Sequence, residues 1–515
     1  MLAKTGLLIV SNPKHINKLL SNVKETVKHT LYIQLLTALN EPLGSFYSHM
    51  FNTPPKLSRT IFGIYSQATR HCNNLDVRVL LTGVKSNVPQ IGTRNPIDVV
   101  IFDRKYSKAD IDNFMKCKLT NVSKQHRVLT VDCENVEDPE VQDDSADDQV
   151  YKHACLGGTF DRLHAAHKVL LSYAILHASE KVTVGITEEN MVHSKLLWEL
   201  IQDVDTRIAN VEQFVMDVCP EISYNICKIS DPFGPAVVDP TMDVIVVSVE
   251  TVRGGEKINE IRKQKSLAEL VIVPIPFIDE PDPQAREETK VSSSNQRLRL
   301  LGTLLNPLEK KNIPNKPYVI GLTGGIASGK SGVTSHLKNM GVPIIDCDKI
   351  GHQVYQKNAA CYQEVISQFG KEILNSDGEI DRRVLGNLVF EKPAELTKLT
   401  DIVWPAIKDE VQRIIRKSEA RVVCVEAAIL TKAGWDAFCH EVWTTFVPEK
   451  EAIERLKTRN NLTEEQAKSR MAAQPSNKEN IQQANVVFCP LWEVEYTKMQ
   501  VEKAWDLLQI RLSGL

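Results

Sequence analysis

A chain of 515 residues, 42% hydrophobic and 25% charged, has room for about three domains of roughly 150 residues and the make-up of a globular protein. A net charge of −3 and an aromatic content of 6% argue against a basic, base-stacking surface, so nucleic acid is not an expected partner. The eleven cysteines form no C-x-x-C pair, which points to free thiols in a reducing compartment, and no apolar run reaches the length of a transmembrane segment.

In chain order, residues 1–131 are expected to form a small α/β domain. Leu7–Val10, Val77–Leu81 and Val99–Phe102 read as strands, with helical patterns between them. Asp103 and Arg104 end the last of these, where open α/β sheets often carry sites. No second chemical group accompanies them at a recognisable spacing, so a structural or docking role is expected, toward a protein or a membrane surface. The first thirty residues hold five lysines against one acid, Glu25, which leaves organelle targeting open, although transit peptides favour Arg and Gly6–Val10 looks like a strand. A cytoplasmic location is expected, with association at mitochondria left open. From Asp132 to Asp148 there are nine acids and no Lys or Arg, and the stretch to residue 150 reads as a solvated linker.

A second domain is expected over 151–305. His153–Leu156, Val182–Ile186, Ile222–Ile226, Val244–Val249 and Val271–Pro276 read as strands. Helices near Ala165–Ala178, Asp205–Cys219 and Glu256–Lys265 alternate with them. This rhythm predicts a doubly wound parallel sheet with ligands at the carboxyl ends of its strands. Residues 306–317, with three prolines, read as a second linker before a third domain at 318–515. The expected fold class is thus α/β, with two doubly wound parallel-sheet nucleotide-binding domains preceded by a smaller α/β domain.

Chemistry is most legible at Gly324-Gly325-Ile326-Ala327-Ser328-Gly329-Lys330-Ser331, which fits the phosphate-binding loop G-x-x-x-x-G-K-[ST]. A strand pattern at Tyr318–Thr323 precedes it and a helix pattern at Val333–Met340 follows. Glycines let consecutive backbone N–H groups face one anion at a helix N-terminus. Lys330 is then placed for the β- and γ-phosphates of ATP and the Ser331 hydroxyl for Mg²⁺. Downstream, Asp346 and Asp348 are two apart at a strand end and face one side. A kinase needs such a carboxylate to take the acceptor hydroxyl's proton or to help hold Mg²⁺. Arg455 and Arg459 share a helix face, Thr463–Gln466 reads as a capping box, and Arg470 follows. A helix pair carrying three arginines suits a lid that closes over transferring phosphate.

In the middle domain the pattern is Gly157-Gly158-Thr159-Phe160-Asp161, then His164-Ala165-Ala166-His167. Two imidazoles three residues apart share the first turn of a helix, where backbone dipoles also favour an anion. Donors so placed can hold a triphosphate and stabilise charge that grows at its α-phosphorus.

These words resemble the nucleotidyltransferase family, with Ala166 where Gly is commoner. Val291-Ser292-Ser293-Ser294-Asn295-Gln296-Arg297 is similar to the serine-rich word that closes such sites. The resemblance implies an ATP site of Gly158, Thr159, Phe160, His167, Arg253, Ser292, Ser293, Ser294 and Arg297, with His164 and His167 catalytic. It places the acceptor phosphate near Thr159, Lys195 and Arg207. The last domain resembles dephospho-coenzyme A kinase, which implies Asp348 as the catalytic carboxylate and Asp346, Arg382 and Arg383 toward the acceptor. Departures are Trp404 before Pro405 in place of His, Glu426 in place of Asp, and Cys489-Pro490-Leu491 in place of an adenine-reading Asn.

In this order the two halves resemble the bifunctional coenzyme A synthases, a pantetheine-phosphate adenylyltransferase fused to dephospho-coenzyme A kinase. The resemblance implies ATP, 4′-phosphopantetheine and dephospho-coenzyme A as the small-molecule partners, with Mg²⁺ as cofactor.

Overall fold

A computed structural model describes residues 2–36, 54–82, 90–131, 149–390 and 392–514. The acidic stretch 132–148 expected as a linker lies outside the described residues. The chain divides into two compact units, Met1–Gln296 and Arg297–Leu515.

The first unit contains two five-stranded sheets in which all strand pairings are parallel. One is built from β1 (Ala3–Val10), β2 (Val27–Leu35), β3 (Asp76–Leu80), β4 (Ile97–Phe102) and β5 (Val122–Thr130), in the order β3-β2-β1-β4-β5. Sequence patterning gives β1 and β4 because their apolar runs are nearly continuous, as in strands buried on both faces, and β3 from Val77, Val79 and Leu80. It misses β2, whose run opens on Lys28 and His29, and β5, a polar edge strand exposed along most of its length. The other sheet holds β6 (Tyr151–Gly158), β7 (Ala178–Thr187), β8 (Ser223–Ile229), β9 (Val244–Ser248) and β10 (Val271–Ile275), in the order β10-β9-β6-β7-β8. The strand order reverses between β6 and β9, and open α/β sheets bind their ligands at such a switch point, at the carboxyl ends of the strands. One apolar core joins the two sheets, running from Leu31, Ile61 and Val77 to Val169, Val182 and Phe214. Within it the helix Pro54–His71 packs on the helix Ala165–His177.

The second unit has a five-stranded sheet of β11 (Tyr318–Gly324), β12 (Ile344–Asp346), β13 (Val422–Glu426), β14 (Glu441–Thr445) and β15 (Val486–Phe488). Its order is β12-β13-β11-β14-β15, all parallel, with β11 central and buried at every residue. The C-terminal helix Val494–Ser513 covers one face through Val501, Ala504 and Leu508. Residues 306–317 run along this unit, where Asn306 donates to the Ala484 carbonyl at 2.7 Å and Lys311 to the Asp436 carbonyl at 2.7 Å.

A buried carboxylate pins the C-terminal helix to the sheet. Glu441 is fully buried, and Arg511 donates to both of its oxygens at 2.7 and 2.9 Å. Tyr318 Oη and Trp443 Nε1 donate to the same group at 2.9 and 2.8 Å. Arg511→Met orphans that charge and is expected to cost about 3 kcal/mol, the low end for a broken buried pair because Arg511 is partly exposed. Urea unfolding followed by tryptophan fluorescence measures it.

Candidate active sites

In the first unit, β6 breaks at Gly158 into a strained turn. Phe160 and Arg162 both adopt positive φ, 51° and 49°, a conformation non-glycine residues take only when their surroundings hold them. Phe160 is held by complete burial beneath Gly158, where a Cβ would come within 3.0 Å of its ring. The turn delivers His164 to the cap of the helix Ala165–His177, and His167 lies in its first turn. Their rings stack with centroids 3.8 Å apart and planes at 20°, and Phe160 lies 5.2 Å from the His167 ring. His164 Nε2 and Ser293 Oγ are 3.2 Å apart, and Ser293 Oγ also donates to the Asp161 carbonyl at 3.1 Å. The serine-rich word therefore meets the two histidines, with Ser292, Ser293 and Ser294 all half-buried.

Other expected residues sit differently. Arg207 is 2% exposed, and its guanidinium donates to the carbonyls of Thr159, Thr187 and Gln202 at 2.7, 2.9 and 2.8 Å. It braces the loop that carries Thr159. Thr187 Oγ1 donates to Thr159 Oγ1 at 3.1 Å. Lys195 and Arg253 are exposed, Arg253 in the first turn of the helix Val252–Gln264 that follows β9. Arg297 continues the helix of Ser293 and is buried. Asn295 escaped sequence reasoning; fully buried, it accepts from the Glu288 amide and donates to the carbonyls of Glu288 and Lys290, locking the loop before the serines. Its place inside the serine word was the only signal.

In the second unit the loop after β11 needs its glycines. Gly324 and Gly329 adopt φ of 144° and 93°, and a Cβ at Gly324 would lie 2.4 Å from the Thr445 carbonyl. Ala327 adopts φ 59° and packs with Ile326 against a lid cluster of Ile453, Leu456 and Ala467. The Lys330 ammonium donates to the carbonyls of Gly324 and Gly325 at 2.8 and 3.2 Å, and burial lowers its pKa. Beside it a cleft of about 370 Å³ is lined by Ser331, Lys338, Asp346, Asp348, His352 and Glu426. Asp346 also caps the next helix, accepting from the Lys349 amide at 3.0 Å.

Glu426 thus belongs with the two aspartates. Burial, then the nearby Asp346 charge, raises its pKa against the opposing pull of Lys330. Among the described residues no three metal-ligating side chains converge. The cleft nonetheless offers hard oxygen donors in the Ser331 hydroxyl and the carboxylates, the chemistry that suits Mg²⁺ held jointly with phosphates.

The two helices expected as a lid are Glu449–Asn460 and Glu464–Ala472, the second opened by the capping box of Thr463 and Gln466. Arg455 donates to the carbonyls of Ala327 and Pro490 at 3.3 and 2.5 Å and pairs with Glu451 at 2.7 Å. Arg459 and Arg470 are exposed, but the Arg459 charge is close enough to help lower the Lys330 pKa. Arg382 and Arg383 are exposed at a helix start, and the charge of Arg382 bears on His352 in the cleft. Gln474 was missed by sequence reasoning: its Oε1 accepts from the Ile326 amide at 2.7 Å, tying the end of the helix Glu464–Ala472 to the loop after β11.

Fold and site together define a phosphate-loop kinase in series with a nucleotide-handling α/β domain. The dephospho-CoA kinase family pattern matches residues 318–489, and the cytidylyltransferase-like pattern matches residues 155–299. A dephospho-CoA kinase of Dehalococcoides mccartyi is 38% identical over 172 residues, which are 33% of this chain and 86% of that protein. One from Lactobacillus acidophilus is 36% identical over 200 residues, 38% of this chain and 99% of that protein. The crystal structure of TT1252 from Thermus thermophilus matches 38% of this chain and 98% of its own, at 28% identity and a TM-score of 0.34. The chain belongs, through its second unit, to the dephospho-CoA kinase family.

The raised pKa of Glu426 has a measurable consequence. Between the ordinary glutamate value and its own raised value, the folded protein holds more protons than the unfolded chain. Stability therefore falls as pH rises through that window, and the full penalty persists above it. Glu426→Gln is expected to raise the melting temperature at pH 7 to 8, with the gain vanishing below the ordinary glutamate value. Thermal melts across pH 4 to 8 check it.

Proposed function

We propose that the chain carries out two successive steps on one carrier molecule. In the first unit, the phosphate of 4′-phosphopantetheine attacks the α-phosphorus of ATP, pyrophosphate leaves, and dephospho-coenzyme A forms. In the second, the 3′-hydroxyl of the dephospho-coenzyme A ribose attacks the γ-phosphorus of a second ATP, giving coenzyme A and ADP.

The observation that carries the reading is the meeting of the His164–His167 stack with Ser293 at the end of β6, in a chain that also belongs to the dephospho-CoA kinase family. His164 binds the triphosphate, and His167 faces the charge that grows at the α-phosphate. Thr159 lies toward the acceptor, on a loop that Arg207 braces. In the second unit Lys330 takes the β- and γ-phosphates and Asp348 receives the acceptor proton. Ser331 and Asp348 would hold Mg²⁺, which would supply neutralisation of phosphate charge. Arg455, Arg459 and Arg470 form the lid, and Asp346, Arg382 and Arg383 lie on the acceptor side.

Incubation with Mg²⁺, ATP and 4′-phosphopantetheine, followed by separation of products, tests the whole scheme. CTP in place of ATP is the control that the cytidylyltransferase-like match calls for. Lys330→Ala is expected to let dephospho-coenzyme A accumulate without conversion; coenzyme A at the normal rate would refute the assignment. Asp348→Asn is expected to lower kinase turnover by about 10²–10⁴ with ATP binding kept, and Asp346→Asn less. Equal small effects make the pair a structural cap. His167→Ala is expected to cut adenylyl transfer by about 10²–10³ with little change in apparent ATP affinity, while added dephospho-coenzyme A is still phosphorylated normally.

A further inference from the structure

The residue after His167 is a buried lysine. Lys168 is 6% exposed, and its ammonium is held by Asp76 Oδ1 at 2.5 Å and by the Val77 carbonyl at 2.9 Å. Both acceptors belong to β3, in the N-terminal sheet. Asp76 is fixed in turn by Arg78, whose Nε and Nη2 both lie 2.8 Å from its Oδ2. Arg78 Nη1 then reaches Asp217 Oδ2 at 2.7 Å, on the helix Val204–Val218. Asp217 also accepts from Tyr32 Oη and from the Arg94 amide, each at 2.7 Å. The Leu81 amide donates to the Val218 carbonyl at 2.8 Å.

The N-terminal sheet therefore grips two helices, and they are the two that shape the loop Gly157–Arg162. One begins with the His164–His167 stack. The other carries Arg207, which holds the Thr159 carbonyl. Burying an ammonium is costly unless its partners are fixed, and here the partners are strand backbone and a carboxylate itself locked by Arg78. Consecutive helix residues point about 100° apart, so a turn that moves Lys168 moves His167 with it. His167 faces Phe160 while Lys168 faces β3.

We propose that the N-terminal sheet is a working part of the first unit's site, with Lys168 and Asp76 as positioning residues that set the aim of His167. The proposal rests on the adenylyl-transfer reading of that site. It assigns residues 1–131 a task in catalysis through contact, beyond the docking role expected from sequence.

Lys168→Met keeps most of the stem and removes the charge. Displacement of a catalytic group by a fraction of an ångström to an ångström costs on the order of 10- to 100-fold in rate. Lys168→Met and Asp76→Asn, assayed in the full chain well below their melting temperatures, are expected to lower kcat for adenylyl transfer by that order. The KM for ATP and the kinase rate with added dephospho-coenzyme A stay unchanged. In a His167→Ala background Lys168→Met is expected to add almost nothing, since it acts through that ring. If the single variants fold poorly, the neutral pair Lys168→Met/Asp76→Leu restores the fold and keeps the low kcat. The imidazole NMR signals of His164 and His167 shift in Lys168→Met whether or not dephospho-coenzyme A is the product. A wild-type chain that makes none therefore refutes the reaction assigned above and leaves this coupling measurable. Normal kcat per folded molecule with only a lower melting temperature overturns the proposal. So does an undiminished effect in the His167→Ala background, or imidazole signals that do not move.

Discussion

Both candidate sites depend on one constraint: a central strand, buried on both faces, must stop and reverse within a few residues so that a helix can begin at the sheet's carboxyl edge. Each sheet meets it with backbone that ordinary residues avoid. After β6 the strain falls on Phe160 and Arg162; after β11 Gly324 and Gly329 take such angles without penalty and the strain falls on Ala327 alone. Strain of this kind costs about 1–3 kcal/mol per residue and persists only where packing over-determines it. Phe160 is clamped under Gly158, and Ala327 is clamped by the lid cluster and Arg455. The reward is that amides and helix N-termini converge where a polyphosphate can lie.

Much of this was legible in the sequence because the chemistry is local. A phosphate loop is eight consecutive residues between a strand and a helix, and the His164–His167 pair sits on one helical turn. Strands buried on both faces announce themselves as apolar runs, which is why β6, β7 and β11 were expected close to where they lie. What stayed illegible is non-local or two-sided. β5 has no apolar face, since it is an exposed edge. Gln474 reaches Ile326 across 148 residues, and nothing in its neighbours marks it. Arg207 matched a position that implies an acceptor ligand, yet geometry sets its guanidinium on three carbonyls. A sequence word fixes which residue is present, while burial decides what it faces.

The same distinction bears on the charged residues of the interior. Asp76 and Arg78 share one strand but lie far along the chain from Lys168 and Asp217, and the four gave no pattern, yet in the fold they form one connected set. Glu441 and Arg511 do the same for the second unit. Replacing such ion pairs by apolar residues is often neutral or stabilising, whereas removing one partner alone leaves an uncompensated charge.

One feature of the phosphate loop sets a condition on what can occupy it. Lys330 rests on two carbonyls of its own loop, in surroundings that already disfavour its charge. A ligand must draw the ammonium away from both dipoles, and a single diffuse negative charge competes poorly with them. Several phosphates in a row do so readily, because their combined field grows with each added charge while the carbonyls' hold stays fixed. In the kinase reaction proposed above, this exchange favours a ligand that brings several charges to one spot, before any contact with base or sugar is made.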